Sequence, residues 1–358
     1  MIQLFARIFL QLLLPYGLVA AITCVNVSNA FAGNNKADTS KIYVRQFSDY
    51  WNIKAISTQK TFRLSLEDDE LTGLYMDYVP NLGTYLGFGV YMFDIGLDVS
   101  FRLPPSEIEN DLYGPSSGTD LQVHMYTRKV GIDLSYQKYK GFYLENPKDF
   151  YPIWSEGDSF PRKPDMEAKS ISLGSVYVFN AKRYSFPSIF THTESQLRSA
   201  GSFILTGQFN HSTLSDPYSI VSEVPNNQFN FLDSLNKITS TSFNVLPGYS
   251  YNLVIKRRIY LSLSLSIGLG VESYAYSTQK NTVRDNTIDL ANVWRLGGGY
   301  NGTRLFFGLA GYTQSNETSI EGLRLSTSSG FVTIFLGYRF KEKGFMKKSV
   351  FDLVRPKS

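Results

Sequence analysis

Residues 259–272 read Ile-Tyr-Leu-Ser-Leu-Ser-Leu-Ser-Ile-Gly-Leu-Gly-Val-Glu. Every odd position is aliphatic, and the even ones are Tyr260, Ser262, Ser264, Ser266, Gly268, Gly270 and Glu272. Strict period two marks a β-strand with unlike faces. Tilted near 45°, such a run covers about 30 Å, the hydrocarbon thickness of a bilayer. One face calls for lipid or a core. The other leaves room for a bulky neighbour, an inserted loop or water.

Similar runs recur along the chain. Leu86, Phe88, Val90 and Met92 alternate with small or polar residues, as do Ile95, Leu97, Val99 and Phe101, then Leu121, Val123 and Met125, then Val130, Ile132, Leu134 and Tyr136. Shorter ones cover 51–55, 62–67 and 74–78, and later ones cover 168–179, 200–211, 241–255, 287–299, 303–313 and 329–340. Tight turns are expected at 128–129, 256–258 and Asn301-Gly302, and long loops at 104–118, 145–167, 213–240, 275–286 and 314–322. The long connection 180–199 leaves space for a further strand extension. Short turns at one end and long loops at the other fit an all-β, transmembrane, antiparallel up-and-down barrel of about 14 strands, with 12 as the alternative. A soluble β-protein is the competing architecture, but its strands run about five or six residues.

Arg7, the apolar run from Ile8 to Val27 and Ala30-Phe31-Ala32 read as a signal peptide over 1–32. Residues 33–48 are then a polar periplasmic lead-in, 49–340 the barrel and 341–358 a basic periplasmic tail. The outer membrane is the expected location, with its lipid and the barrel-assembly machinery as partners; Gly337-Tyr338-Arg339-Phe340 has the aromatic ending such machinery reads. The single cysteine, Cys24, lies within the signal, so disulfide and thiol chemistry are excluded from the mature chain. A formal net charge of +4 on scattered basic residues gives no case for nucleic acid. Basic pairs at the turns and tail suit anionic lipid on the periplasmic side. Aromatics make up 15% of the chain, enough for interfacial girdles. Tyr249, Tyr251, Tyr274, Tyr276, Trp294, Tyr300, Tyr312 and Tyr338 are placed there.

Tyr78-Val79-Pro80-Asn81, Gly131-Ile132-Asp133-Leu134-Ser135-Tyr136-Gln137, Tyr139-Lys140-Gly141-Phe142-Tyr143, Tyr177-Val178-Phe179-Asn180 and Ser199-Ala200-Gly201-Ser202-Phe203 resemble an uncharacterised family of exported β-barrel proteins from Bacteroidetes. The resemblance implies location and fold and carries no activity.

With apolar faces on lipid, the lumen is expected to be lined by Arg63, Glu67, Asp77, Asp98, Arg102, His124, Asp133, Glu272, Asp289, Arg295 and Arg339. Mixed signs there either pair and fill the interior or line a wet pore. His192-Thr193-Glu194-Ser195 comes nearest to a catalytic cluster, without a nucleophile elbow. Neither the spacing of His124, His192 and His211 nor the strand glycines suggest a metal or nucleotide site. A non-enzymatic barrel without cofactor, either pore or scaffold, is the expected function; a lipid-modifying enzyme and a soluble exported protein are the alternatives.

Overall fold

A computed structural model describes residues 40–47, 49–68, 75–92, 95–221, 235–278, 281–320 and 323–342. The expected signal peptide, half of the expected lead-in and nearly all of the expected tail lie outside them. Helix α1 (Ser40–Tyr43) leads into strand β1 (Val44–Gln46). The wall follows as β2 (Tyr50–Asp68), β3 (Tyr75–Val79), β4 (Thr84–Met92), β5 (Ile95–Arg102), β6 (Ser117–Tyr126), β7 (Val130–Leu144) and β8 (Arg162–Val178). After α3 (Pro187–Phe190) and β9 (Glu194–Gln196) come β10 (Ala200–Ser215), β11 (Leu235–Ile255), β12 (Ile259–Thr278), β13 (Thr282–Asn301), β14 (Leu305–Ile320) and β15 (Leu323–Lys341). Helix α2 (Glu107–Tyr113) joins β5 to β6, capped by Ser106 and Glu109.

Consecutive wall strands pair antiparallel, and β15 closes on β2 from Leu323↔Asp68 to Lys341↔Tyr50. β3 and β4 both lie along β2 and form one descending strand broken at 80–83. Counted so, the described residues form a ring of twelve strands, the second of the two expected counts rather than 14. The excess arose because 51–55 and 62–67 are two halves of β2, and 74–78 and 86–92 two halves of β3–β4.

On β12 the odd aliphatics are turned outward, Leu261 59% and Val271 65% exposed, while Ser262, Ser264 and Ser266 are buried. The same exposed apolar face runs along Leu86, Phe88, Leu97, Leu121, Leu134, Leu173, Phe243, Leu309, Ile334 and Leu336. Apolar outside and polar inside is the reverse of a soluble β-fold, and it is the polarity of a barrel in lipid.

Farther from the short turns the polarity inverts, along β2 without a change of register. Phe62, Leu64 and Leu66 of β2 point inward and pack with Met76, Tyr78, Phe142, Met166, Leu214, Ile238, Tyr274, Tyr276 and Leu325 in one cluster drawn from opposite walls. That cluster roofs the lumen. Outside it, Lys138 and Lys169 pair with Glu167, and Lys140 with Asp165. Two expected loops are therefore largely strand. β12 and β13 leave only 279–281 between them, and β14 and β15 only 321–322. Polar residues on the outer face, among them Ser277, Thr282, Asn286, Ser315 and Ser319, hid these extensions, because no apolar outer face is needed above the lipid. Tyr274, Tyr276 and Tyr312 are turned inward, not into a girdle; Tyr249, Tyr251 and Tyr338 are outward and exposed.

Candidate functional site: a plugged lumen and its chamber

The connection from β8 to β10 turns back into the barrel at the short-turn end. From Tyr184 to Gln196 it is almost wholly buried, including Ser185, Phe186, Ile189 and His192. β9 pairs antiparallel with β1, Val44↔Gln196 through Gln46↔Glu194, so the stretch before the barrel is tied into the same plug. The plug's backbone is held by asparagines and one arginine on the wall. Asn252 Nδ2 donates to Ser185 O at 3.0 Å, and Asn52 Nδ2 to Thr191 O at 3.2 Å. Asn301 Nδ2 donates to the carbonyls of Ser188 and Glu194 at 3.3 and 3.1 Å. Arg339 donates from Nε and Nη2 to His192 O at 2.9 and 2.6 Å, and from Nη1 to Gly302 O at 2.6 Å. Its guanidinium lies between the rings of Phe47 and Phe306, 4.0 and 4.5 Å from their centroids. Buried carbonyls find partners and a buried cation finds acceptors, which makes such a network stable.

The small inner face of this wall sector provides the room. Gly297 pairs with Ser262, and a Cβ on Gly297 would stand 2.5 Å from Ile189 Cγ2. The Tyr184 hydroxyl bonds Ser250. His192 stacks on Phe306 at 4.6 Å, and its Nε2 meets the Tyr260 hydroxyl at 3.3 Å. Ser195 donates to Asn301 O at 3.2 Å, and Glu194 accepts from Ser185 and Arg128. These groups are thus engaged with the plug and wall, with His192 and Ser195 turned to different partners. Burial, with Lys54 and Arg339 nearby, holds the His192 imidazole well below its ordinary pKa.

Above the plug lies a chamber with about 100 Å³ open to the centre of a water molecule, floored by Phe190, Thr191 and His192. Arg295 reaches across it to within 3.9 Å of Asp133, whose carboxylate accepts from Tyr126. The Arg295 guanidinium lies 5.3 and 5.5 Å from the rings of Tyr312 and Phe186. Lys54 pairs with Asp98 at 2.8 Å. Higher, Lys60 pairs with Asp120 at 3.0 Å, and Tyr139 donates to the same carboxylate. Among the described residues no cluster suits a metal ion.

The structure brings Asp98, Asp133 and Arg295 together in the chamber and puts Arg339 beneath it at the plug. Arg102 points inward and donates to the carbonyls of Asn81 and Ser116; Glu272 points inward and accepts from Thr318. Arg63, Glu67 and Asp77 stand on the outer face instead. Arg63 pairs there with Asp77 and Glu145, and Glu67 with Arg324. The side chains of His124 and Asp289 lie outside the described ones; their backbones pair with Asp133 and Gly270. Lys54, Lys60 and Asp120 were missed, although the parity of β2 and β6 points them inward. For the plug the available signal was Phe186, Ile189 and Phe190, apolar residues within a connection.

A closed antiparallel ring with lipid-suited walls and a polar, self-filled interior defines a membrane β-barrel. The chain belongs to the family described as domain of unknown function DUF4421, whose model matches residues 36–340. No curated protein matches it. Among solved structures it is similar to the outer membrane protease OmpT from Escherichia coli, with 10% identity, TM-score 0.35, and coverage of 83% of this chain and 98% of that one. It is similar also to Ail, the attachment invasion locus protein of Yersinia pestis, at 9% identity, TM-score 0.27 and coverage of 81% and 99%. The Pseudomonas putida toluene transporter TodX gives 9% identity, TM-score 0.26 and coverage of 82% and 90%.

Proposed function

We propose that the protein is an exported outer-membrane barrel, set in lipid with its short turns toward the periplasm, that works as a closed scaffold and neither conducts nor catalyses. The carrying observation is the buried segment Tyr184–Gln196, fastened through Arg339. Of the two roles expected of such a barrel, pore and scaffold, this geometry favours the scaffold. Planar-bilayer recording of the refolded protein tests it. The wild type is expected to show no steady conductance. Arg339→Ala removes the donors to His192 O and Gly302 O, each bond to a charged group contributing about 1.5–3 kcal/mol, and is expected to give flickering steps. Steady wild-type conductance overturns the closed reading. Recovery of the native protein wholly in the soluble fraction overturns the membrane one.

A further inference from the structure

The ring is incompletely zipped at one seam. β5 and β6 pair only at Gly96↔His124 and Leu97↔Val123. Beyond these, 98–102 and 117–122 have no ladder partner across the seam, although β5 remains paired to β4 and β6 to β7. The upper end is held by Arg102, which donates to Ser116 O and Asn81 O. Exposed Leu97, Phe101 and Leu121 flank the opening on the outside, so it lies within the apolar belt. Gly96 and Asp98 on one side and Gln122 on the other line the chamber, which therefore reaches the seam. Unpaired backbone at hydrocarbon depth is tolerated only where it borders protein or a polar cavity.

The chamber carries buried polar atoms without a hydrogen-bond partner: Arg295 Nη1, Gln208 Oε1 and Asn210 Oδ1. Arg295 is 3% exposed, and its ion partner stands at 3.9 Å, beyond hydrogen-bond reach. The charges in the chamber balance, Lys54 against Asp98 and Arg295 against Asp133. A further net charge would be desolvated without a counterion. Phe190, Phe331 and Phe335 add apolar lining.

We propose that the chamber binds an uncharged amphiphile taken from the bilayer through the β5–β6 seam, its hydroxyl- or amide-bearing head meeting Arg295 and Gln208. This rests on the membrane reading of the barrel. Ligand retention is a different measurement from conductance, so either can fail alone.

Native mass spectrometry of the full mature barrel, released from micelles, tests it with 1-monododecanoylglycerol as probe. One retained molecule per barrel is expected. Dodecanoate at neutral pH, the same chain with a charged head, is expected not to be retained. Arg295→Gln is expected to weaken retention about ten- to a hundredfold, the worth of a hydrogen bond to a charged group. Arg295→Lys, which keeps the charge should the glutamine variant fold poorly, is expected to recover part of it. For the route, Val99→Cys with Leu121→Cys, bridged by a short bis-methanethiosulfonate from which each cysteine thiolate displaces a methanesulfinate to form a disulfide, is expected to block loading from vesicles until reduced. No retained molecule in the wild type, equal retention in a folded Arg295→Gln barrel, or preference for dodecanoate overturns the site. Unchanged loading of the bridged protein overturns the seam as the route.

Discussion

A histidine stacked between rings and faced by two cations has one comfortable state, the neutral one. His192 meets Phe306 and Phe335 in the plug, with Tyr260 of β12 at its Nε2 and Arg339 on its carbonyl oxygen; Lys54 of β2 adds repulsion. Its pKa falls well below the ordinary 6.5, by burial first. The unfolded chain thus takes up a proton near pH 6.5 that the folded plug refuses, so the plug's stability is full above that pH and declines as pH falls below it. Acidification from pH 7.5 to 5 is expected to raise the frequency of conductance steps in planar bilayers. In His192→Phe, which keeps the ring packing and removes the proton site, that rise is expected to vanish. A rise of equal size in the phenylalanine variant would overturn the assignment to His192.

The plug and the wall meet through elements of matched shape. Gly297 on β13 leaves Ile189 its space, and a Gly297→Leu side chain has nowhere to go except into the plug. That substitution is expected to expel Tyr184–Gln196, opening steady conductance and a protease-sensitive site near Lys182-Arg183, while the strands stay closed; silent bilayers and an uncut segment would show the fit is loose. The strand carrying the strictest alternation, β12, was legible because a single environment acts along its lower length. β2 was not legible as one strand. Its lower half turns Ile53 to lipid and its upper half turns Leu64 and Leu66 to the roof, so the apolar parity changes while the backbone runs straight. Reading apolar as outward put Arg63 and Glu67 in the lumen, and the same step misplaced Asp77. Arg295, Asp133 and Asp98 were legible because they lie within the belt, where the rule holds. The plug was not, since its polar residues are satisfied by Asn52, Asn252, Asn301 and Arg339, contacts across long sequence separations that no local period encodes.

The whole molecule has two cores under one wall. Within the belt the apolar residues face lipid and the interior is filled by polar contacts and the plug; above it, the apolar residues face inward and the charges face water. Stability against unfolding from a bilayer is therefore expected to depend on height rather than on exposure. Leu263 and Lys138 are both turned outward and comparably exposed, Leu263 at 38% overall and the Lys138 side chain at 41%. Leu263 lies within the long apolar run of β12, where an arginine meets hydrocarbon, and Leu263→Arg is expected to cost about 2–4 kcal/mol. Lys138 stands above the belt beside Glu167, so Lys138→Leu loses one exposed ion pair and is expected to cost at most about 1 kcal/mol. Urea titration of both variants refolded into vesicles measures the difference. Equal destabilisation by the two would mean that lipid does not reach the β12 face, and the inversion along β2 would then need a cause other than the membrane boundary.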